Sequence, residues 1–415
     1  MTRYPSVGTA AVRLIAALAL ALAGAAAGAT AGANAQETVS QLVQRSFDTA
    51  AAQYGGMLDK VQRKPGFPRT VEKGEVVLVG VGDWTAGFFP GSLWYLYEAT
   101  GDAKWRLAAA DYTARTAPAK FDKSQHDLGF MLGAGYGNGY RLTGDPAYRD
   151  ALLAGATTLV TRFNPKVGSI QSWDLWKNST WAFPVIVDNL MNLELLTWAA
   201  RTAVEPRYRE IAVTHADTTL RNHFRPDGSS FHLVDYDPQT GKIRSRVTVQ
   251  GNADASSWAR GQAWALYGYT MMYRETKQED YLAQAHKIAA FFMHHPRLPA
   301  DKVPYWDFDD ASIPNAPRDS SAAAIVASSL LELAGFSNAE QARAYHTFAE
   351  AQLRSLASPA YLASGGEGGD NNGNFLLKHA TGHKPAGKEI DVPLNYADYY
   401  FLEALLRLKG TQAGR

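Results

Sequence analysis

The sequence is organised as a series of amphipathic helices whose connections alternate between short turns and long loops. Apolar residues recur with a period close to 3.6, and alternating strand patterns are scarce. This pattern predicts twelve helices, near residues 38–62, 88–100, 103–117, 127–142, 146–162, 184–202, 206–222, 256–275, 279–294, 319–335, 338–355 and 394–408. A weak repeat marks four helix starts with an acidic residue or proline followed by an aromatic residue: Gly101-Asp102-Ala103-Lys104-Trp105, Gly144-Asp145-Pro146-Ala147-Tyr148, Glu205-Pro206-Arg207-Tyr208 and Glu279-Asp280-Tyr281.

Recurring helical hairpins predict a ring, because one hairpin alone cannot bury its apolar face. We therefore predict an all-α fold, an (α/α)6 barrel of six hairpins, with a short β-hairpin near residues 231–250. The long segments lead into the even-numbered helices, which predicts that these helices form the inner ring and begin at one mouth. Functional residues are expected on the loops at that mouth.

The first 35 residues have the features of a secretory signal. Arg3 and Arg13 precede an apolar run over residues 14–29, and Ala33-Asn34-Ala35 is a small-x-small cleavage site. We predict cleavage near Ala35, export to a bacterial periplasm, and a single mature catalytic domain over residues 36–415. The chain contains no cysteine, so disulfides, thiolate metal sites and cysteine nucleophiles are excluded.

The charge balance argues against polyanionic partners. Lys+Arg total 41 and Asp+Glu total 40, so nucleic acid and, after signal cleavage, membrane surfaces are not expected partners. A monomer or weak homo-oligomer is expected. No phosphate-binding loop or G-x-S-x-G motif is present, and no metal or cofactor is predicted, because metal-ligand spacing is missing among His126, His232, His379 and His383.

Two aspartates stand out at the starts of predicted inner helices. Asp127 lies in His126-Asp127-Leu128-Gly129-Phe130, and Asp188 lies within an apolar run. Either could simply cap a helix. However, an unpaired charge in an apolar run is costly, which favours a functional role for Asp188. Two acids facing one substrate are the arrangement used in glycoside chemistry.

Tryptophans and one arginine surround the same predicted mouth. Ordinary core packing is the alternative for each indole, but several indoles near two acids are typical of platforms for sugar rings. Arg260 could hold a substrate carboxylate in a bidentate contact, although a surface arginine with an apolar stem is the alternative. The indoles concerned are Trp84, Trp173, Trp258 and Trp264.

At these residues the sequence resembles the unsaturated glucuronyl hydrolases, glycoside hydrolase family 88. The resemblance covers roughly residues 80–408 and rests on DWTAGFFPG (83–91), HDLGF (126–130), IVDNLMNLELL (186–196), QGNADASSWARGQAWALYG (250–268), PRDSSAAAI (317–325) and HATGHKPAGKEIDVPLNYADYYFLEALLR (379–407). It implies that Asp188 is the general acid/base and Asp127 the second essential acid. It also implies substrate contacts from Trp84, Trp173, His232, Thr248, Gln250, Arg260 and Trp264.

The resemblance implies hydration of a 4,5-unsaturated uronic acid at the non-reducing end of a lyase product, followed by release of the next sugar. Whether Asp127 acts as a nucleophile or stabilises the substrate is left open. The stretch Ser364–Asn374 is longer than a minimal loop, which leaves the sugar at the +1 subsite open. Three alternatives remain: an unsaturated rhamnogalacturonyl hydrolase on the same fold, a polysaccharide lyase, and a non-catalytic periplasmic oligosaccharide-binding protein.

Overall fold

The computed structural model describes residues 37–364 and 371–413. The predicted signal over residues 1–35 and residues 365–370 of the Ser364–Asn374 stretch lie outside the described residues. Contacts divide the chain into a short unit, Met1–Gln41, and a large one, Leu42–Arg415. In the short unit the Thr38 hydroxyl bonds to Oε1 of Gln41. The barrel described below belongs to the large unit.

Twelve helical segments are present in the described residues, close to the positions that the periodicity predicts. They are α1 Val39–Val61, α2 Phe88–Thr100, α3 Ala103–Arg115, α4 (a π-helix Gly129–Gly137 continued by an α-helix Asn138–Thr143), α5 Pro146–Leu159, α6 Asn189–Ala203, α7 Pro206–Asn222, α8 Ala259–Thr276, α9 Glu279–His294, α10 Ser320–Ala334, α11 Ala339–Leu356 and α12 Asn395–Ala413. Short 3₁₀ segments follow or precede several of them, at Ala117–Phe121, Val160–Arg162, Asn372–Asn374 and Lys384–Ala386.

The even-numbered helices form a closed inner ring. Each contacts the next in the order α2, α4, α6, α8, α10 and α12, and α12 contacts α2. The odd-numbered helices α3, α5, α7, α9 and α11 each pack against the inner helix that precedes them. On α1, the Tyr54 ring stacks on Phe89 of α2 with centroids 5.5 Å apart. The predicted (α/α)6 barrel is confirmed.

The helix starts show why the hairpins turn where they do. The side chains of Asp102 and Asp145 accept hydrogen bonds from the backbone N–H groups of Lys104 and Ala147, and so cap α3 and α5. Inner helices lack a polar face: fourteen of the fifteen residues of α10 are buried, and the remaining side chain, Glu332, is only 13% exposed. Outer helices such as α11 alternate buried and exposed residues. This difference separates the inner ring from the outer ring.

Nine short strands are added by the loops. They are β1 Phe67–Glu72, β2 Glu75–Val79, β3 Phe163–Asn164, β4 Ser169–Ile170, β5 Pro184–Ile186, β6 Leu233–Tyr236, β7 Ile243–Val247, β8 Ala380–His383 and β9 Lys388–Val392. The pairs β1–β2, β3–β4 and β8–β9 are antiparallel hairpins, and β5, β6 and β7 form a three-stranded antiparallel sheet. The predicted hairpin near residues 231–250 is confirmed as β6 and β7.

The predicted start of the sixth helix at residue 184 is wrong. Residues Pro184–Ile186 form β5 and pair with β6, with Val185 opposite Val234. A short buried apolar run fits a strand or a helix equally well by periodicity, and here β6 offers its free edge. Helix α6 therefore begins only at Asn189, and Asp188 lies at the junction between strand and helix. Among the described helices, none is both long and apolar enough to cross a membrane.

Candidate active site

A cavity of about 240 Å³ lies at the N-terminal ends of the inner helices. The long loops and the strands β5, β8 and β9 contribute to its wall. Seven of the nine predicted site residues line it: Trp84, Asp127, Trp173, Asp188, His232, Gln250 and Arg260. The other lining residues are Arg69, His126, Phe130, Ile186, Val249, Gly382, His383, Glu389 and Tyr396. The loops before α2, α4, α6 and α8 thus meet at one mouth, as the loop lengths predict.

Asp188 is a buried carboxyl group without a structural role as a helix cap. It occupies the N-cap position of α6 with helical dihedral angles, yet its side chain makes no capping hydrogen bond. Its Oδ1 atom is buried and has no hydrogen-bond partner among the described residues. Burial, reinforced by the negative charge of Asp127, raises the pKa of Asp188 to about 7 against the opposing effect of Arg260. At neutral pH this carboxyl group can therefore both donate and accept a proton.

Asp127 is held by two neighbours at the start of α4. Nδ2 of Asn192 donates to Oδ1 of Asp127 at 3.1 Å, and Nε2 of His126 lies 3.4 Å from the same oxygen. A Cβ at Gly129 would lie 2.6 Å from Cα of Asn192, so this glycine allows α4 and α6 to approach closely enough for the contact. Burial also raises the pKa of Asp127, while His126 and Asn192 counteract that effect.

His232 is fixed in one neutral tautomer. Its Nδ1 atom accepts hydrogen bonds from the backbone N–H groups of Val249 at 3.0 Å and Gln250 at 3.3 Å. Because these groups only donate, Nδ1 carries no proton and Nε2 does. Burial, assisted by the positive charge of Arg260, lowers the pKa of His232 to about 3, so the ring stays neutral. His232 therefore presents one N–H donor beside Asp188.

Arg260 is more deeply embedded than the sequence suggests. It is 1% exposed; Nη1 donates to Oδ2 of Asp319 at 3.0 Å and to the Thr381 carbonyl, and Nη2 donates to the Gly382 carbonyl at 2.6 Å. The guanidinium also lies 4.5 Å from the Trp258 ring centroid. The Nε atom has no partner among the described residues. A bidentate substrate contact is therefore restricted to the Nε–Nη2 edge.

Aromatic rings form the floor of the cavity. Trp84 packs against Tyr396 and Phe130, with centroids 4.9 and 5.5 Å away. Trp264 does not line the cavity but packs 5.0 Å from Phe130, directly beneath it. Thr248 also lies outside the lining, where its hydroxyl accepts a hydrogen bond from Gly251 N at 2.7 Å. In this arrangement Trp264 and Thr248 support the site, and their predicted contacts with substrate remain predictions.

The predicted substrate contacts do not include several polar lining residues, among them Arg69, His383, Glu389 and Tyr396. Arg69 of β1 pairs with Glu389 of β9 at 2.5 Å and with Asp83 at 2.7 Å. Nε2 of His383 donates to the Val249 carbonyl, 3.0 Å away, and Tyr396 lies in the first turn of α12. Arg69 and Glu389 are 320 residues apart in sequence, so no local pattern links them. Glu389, His383 and Tyr396 do fall within the stretch that carries the family resemblance.

Several residues that line the cavity have a buried polar atom with no hydrogen-bond partner among the described residues. These atoms include Asp188 Oδ1, His232 Nε2, Arg260 Nε, Trp173 Nε1 and Tyr396 Oη. Such atoms are costly to bury unless a ligand satisfies them. Donors, one acid and aromatic faces in a small enclosed space suit a sugar with hydroxyl and carboxylate groups. In the described part of the chain, no cluster of three His, Cys, Asp or Glu side chains could hold a metal ion.

The model of glycosyl hydrolase family 88 matches residues 69–408 of the chain. An unsaturated glucuronyl hydrolase from Formosa agariphila (strain DSM 15362) is 47% identical over 344 residues, which cover 82% of this chain and 84% of that protein.

Two solved structures are similar over most of the fold. An unsaturated glucuronyl hydrolase specific for heparin is 47% identical, with a TM-score of 0.85 and coverage of 90% of this chain and 98% of the other. A structure of an unsaturated glucuronyl hydrolase variant with dGlcA-Glc-Rha-Glc is 33% identical, with a TM-score of 0.82 and coverage of 88% and 96%.

Proposed function

Because this chain belongs to glycoside hydrolase family 88, we propose that the enzyme removes the 4,5-unsaturated glucuronyl residue from the non-reducing end of lyase-generated oligosaccharides. It is a glycoside hydrolase, and the similar proteins include unsaturated glucuronyl hydrolases and unsaturated chondroitin disaccharide hydrolases. These relatives are named for different polysaccharides, heparin in one case and chondroitin in another.

One observation carries the proposal. Asp188, with its pKa raised to about 7, lies unpaired in a cavity lined by further unpartnered polar atoms. At about 240 Å³ the cavity is smaller than the roughly 300–1,000 Å³ of sites for drug-sized ligands. This size suits one terminal sugar, with the rest of the oligosaccharide outside.

The proposed chemistry begins with proton transfer to carbon. The C4=C5 bond of the substrate is part of a vinyl ether, so a proton from neutral Asp188 adds at C4 and leaves C5 with oxocarbenium character. The resulting Asp188 carboxylate then accepts a proton from water, whose oxygen bonds to C5. The hemiketal collapses to an open keto acid, and the next sugar leaves as an alcohol.

Asp127 has the position of the second acid. Its negative charge next to the cavity favours the positive charge that develops at C5, and it also raises the pKa of Asp188. The neutral His232 donor and the Nε–Nη2 edge of Arg260 are available to oxygen atoms of the sugar. Trp84 and Trp173 supply apolar faces for its ring.

The test follows the ultraviolet absorbance of the conjugated C4=C5 bond in a panel of unsaturated disaccharides. We expect absorbance to fall and, in heavy water, one deuterium to appear at C4 of the product. A rise in absorbance would identify a lyase, and no change would identify a binding protein. Cleavage without deuterium at C4 would contradict hydration as the mechanism. Preference for unsaturated galacturonyl-rhamnose substrates would favour the rhamnogalacturonyl alternative.

We also propose that the enzyme is exported. Arg3, Arg13, the apolar run over residues 14–29 and Ala33-Asn34-Ala35 support a cleaved signal. Export would place the enzyme where oligosaccharides from extracellular lyases arrive. Expression of the full chain in a Gram-negative host, followed by N-terminal sequencing of the periplasmic fraction, should give a mature protein that begins at Gln36. Recovery of the uncleaved chain in the cytoplasm would contradict this proposal.

A further inference from the structure

Three tryptophans extend the aromatic wall of the active-site cavity to the protein surface. Trp173 lines the cavity, and the ring centroid of Trp181 lies 5.5 Å from it at an interplanar angle of 61°. The Trp176 ring lies 5.3 Å from Trp181 at 78°. The three rings therefore form a continuous row from the cavity outward.

The outer end of this row is unusually apolar for a loop. Trp176 is 57% exposed and Leu175 is 42% exposed, side by side in the segment between β4 and β5. A large exposed indole next to an exposed leucine marks a binding surface more often than a solvated loop. Polar side chains border it, because Asp174, Lys177 and Thr180 are exposed. An aromatic face with hydrogen-bonding groups at its edge is suited to a pyranose ring.

The segment is anchored at both ends. Asp174 N donates to the Ser124 carbonyl at 2.8 Å, and the Asp174 carboxylate pairs with Arg162 at 2.8 Å. At the other end, Ala182 N and Phe183 N both donate to Oδ1 of Asp235, at 2.9 and 2.8 Å. Between these anchors, Ser179 N closes a turn on the Trp176 carbonyl. The rings are therefore held in place before a ligand arrives, which reduces the entropic cost of binding.

We propose that Trp181 and Trp176 form an outer sugar-binding surface for the reducing-end units of the oligosaccharide whose terminal residue occupies the cavity. The inference rests on the proposed function. The cavity has room for one terminal sugar, so the remaining units must lie outside it. The row that starts at Trp173 provides an aromatic surface continuous with the cavity wall. The enzyme should accordingly favour oligosaccharides longer than a disaccharide.

The test compares an unsaturated disaccharide and an unsaturated tetrasaccharide prepared from one polymer with one lyase. For Trp176→Ala we expect kcat/KM on the tetrasaccharide to fall about 3- to 10-fold, which is the effect of losing one aromatic contact. The fall should come from a higher KM. Turnover of the disaccharide should stay unchanged, because its single unit outside the cavity reaches Trp181 but not Trp176, the outermost ring of the row. Trp176→Phe should restore most of the tetrasaccharide activity. Leu107→Ala is the matched control, because Leu107 is a 65% exposed apolar residue on the outer helix α3.

Each outcome bears on a separate claim. An equal loss on both substrates, or no loss on either, would overturn the outer surface while leaving the proposed function intact. A change of oligomeric state in Trp176→Ala, with both activities unchanged, would show that the surface contacts a second copy and would also overturn it. A native enzyme that consumes neither substrate would contradict the proposed function, and the outer surface with it.

Discussion

Nε2 of His232 lies 3.9 Å from Oδ1 of Asp188, and neither atom has a hydrogen-bond partner among the described residues. The backbone N–H groups that bond to Nδ1 place the proton of His232 on Nε2. A neutral donor thus faces a carboxyl group across a gap too long for a direct hydrogen bond. Because His232 stays neutral, it adds no positive charge that would lower the pKa of Asp188. An oxygen atom of a ligand placed between them could contact both groups.

Replacing Asp188 by asparagine should abolish most turnover. Asp188→Asn keeps the shape of the side chain but can neither donate a carboxylic proton to C4 nor accept one from water. We expect kcat to fall by about 10²–10⁴-fold, the contribution typical of general acid–base catalysis. Binding of the unsaturated disaccharide, measured by calorimetry, should persist. If Asp188→Asn retains near-native turnover, Asp127 becomes the candidate acid and the assignment is wrong.

The pH dependence of kcat/KM should show the ionisation of Asp188. Protonation of C4 requires neutral Asp188, and its pKa is raised to about 7 by burial. We therefore expect kcat/KM to decline as pH rises above about 7, tenfold per pH unit once Asp188 is ionised. The residual activity of Asp188→Asn should lack this alkaline decline. An alkaline decline that survives in the variant would assign it to another group.

Asn192 should control Asp127 through the hydrogen bond between them. Nδ2 of Asn192 donates to Asp127 at 3.1 Å, while its Oδ1 accepts from Phe130 N at 3.2 Å, which fixes the orientation of the amide. Asn192→Ala removes a donor to a carboxylate, a bond worth about 1.5–3 kcal/mol. We expect kcat to fall about 10-fold or more, with the acid limb of the pH profile shifted upward because Asp127 loses a group that lowers its pKa.

Asn192→Asp is the sharper comparison for that prediction. It preserves side-chain size but places a second carboxylate against Asp127, so the acid limb should move further upward than in Asn192→Ala. A loss of activity with an unshifted pH profile would indicate that Asn192 only supports the packing of α4 against α6.

The sequence predicts helices well here because the 3.6 period repeats along the whole chain, and each inner helix begins near a capping or apolar signal. It predicts Asp127 and Asp188 because both open inner helices. The periodicity fails where a short apolar run pairs with residues that lie 47 or more positions later, as at β5 and β6. The periodicity also does not predict the Arg69–Glu389 ion pair, because that contact joins two hairpins at opposite ends of the chain.

Arg260 shows a second limit of sequence reasoning. A guanidinium between two tryptophans indicates a substrate contact, but its burial against Asp319 depends on the loop before α10 and on β8. We expect Arg260→Ala to destabilise the fold by about 3–5 kcal/mol, because Asp319 is 0% exposed and loses its cationic partner. Thermal or denaturant unfolding checks this value.

A double variant separates the two roles of Arg260. Arg260→Met combined with Asp319→Asn removes the uncompensated charge, so much of the stability should return while binding of the uronate stays weak. Recovery of both stability and binding in the double variant would show that Arg260 serves the fold alone.

The last prediction contrasts two buried aspartates. Burial raises the pKa of both Asp188 and Asp398 to about 7. Asp398, however, accepts hydrogen bonds from Leu376 N and Leu377 N, each at 2.9 Å, one on each carboxyl oxygen. An asparagine offers only one acceptor oxygen, so Asp398→Asn should lose about 1–3 kcal/mol of stability at pH 4, where the raised pKa keeps the folded carboxyl group neutral. Asp188→Asn should lose little at that pH, because Oδ1 of Asp188 has no partner to lose among the described residues.

The pH dependence of stability then follows from the raised pKa values. In the unfolded chain each aspartate has a pKa near 4, so between pH 4 and about 7 only the unfolded state ionises freely. The contribution of each native aspartate to stability is therefore fully present below pH 4 and is lost as the pH rises toward about 7. Since one pH unit corresponds to about 1.4 kcal/mol, Asp188→Asn should be more stable than the native enzyme at pH 8 by up to a few kcal/mol. Denaturant unfolding at pH 4 and pH 8 measures both effects. If Asp188→Asn is as destabilised at pH 4 as Asp398→Asn, Asp188 is a structural residue and its burial does not serve catalysis.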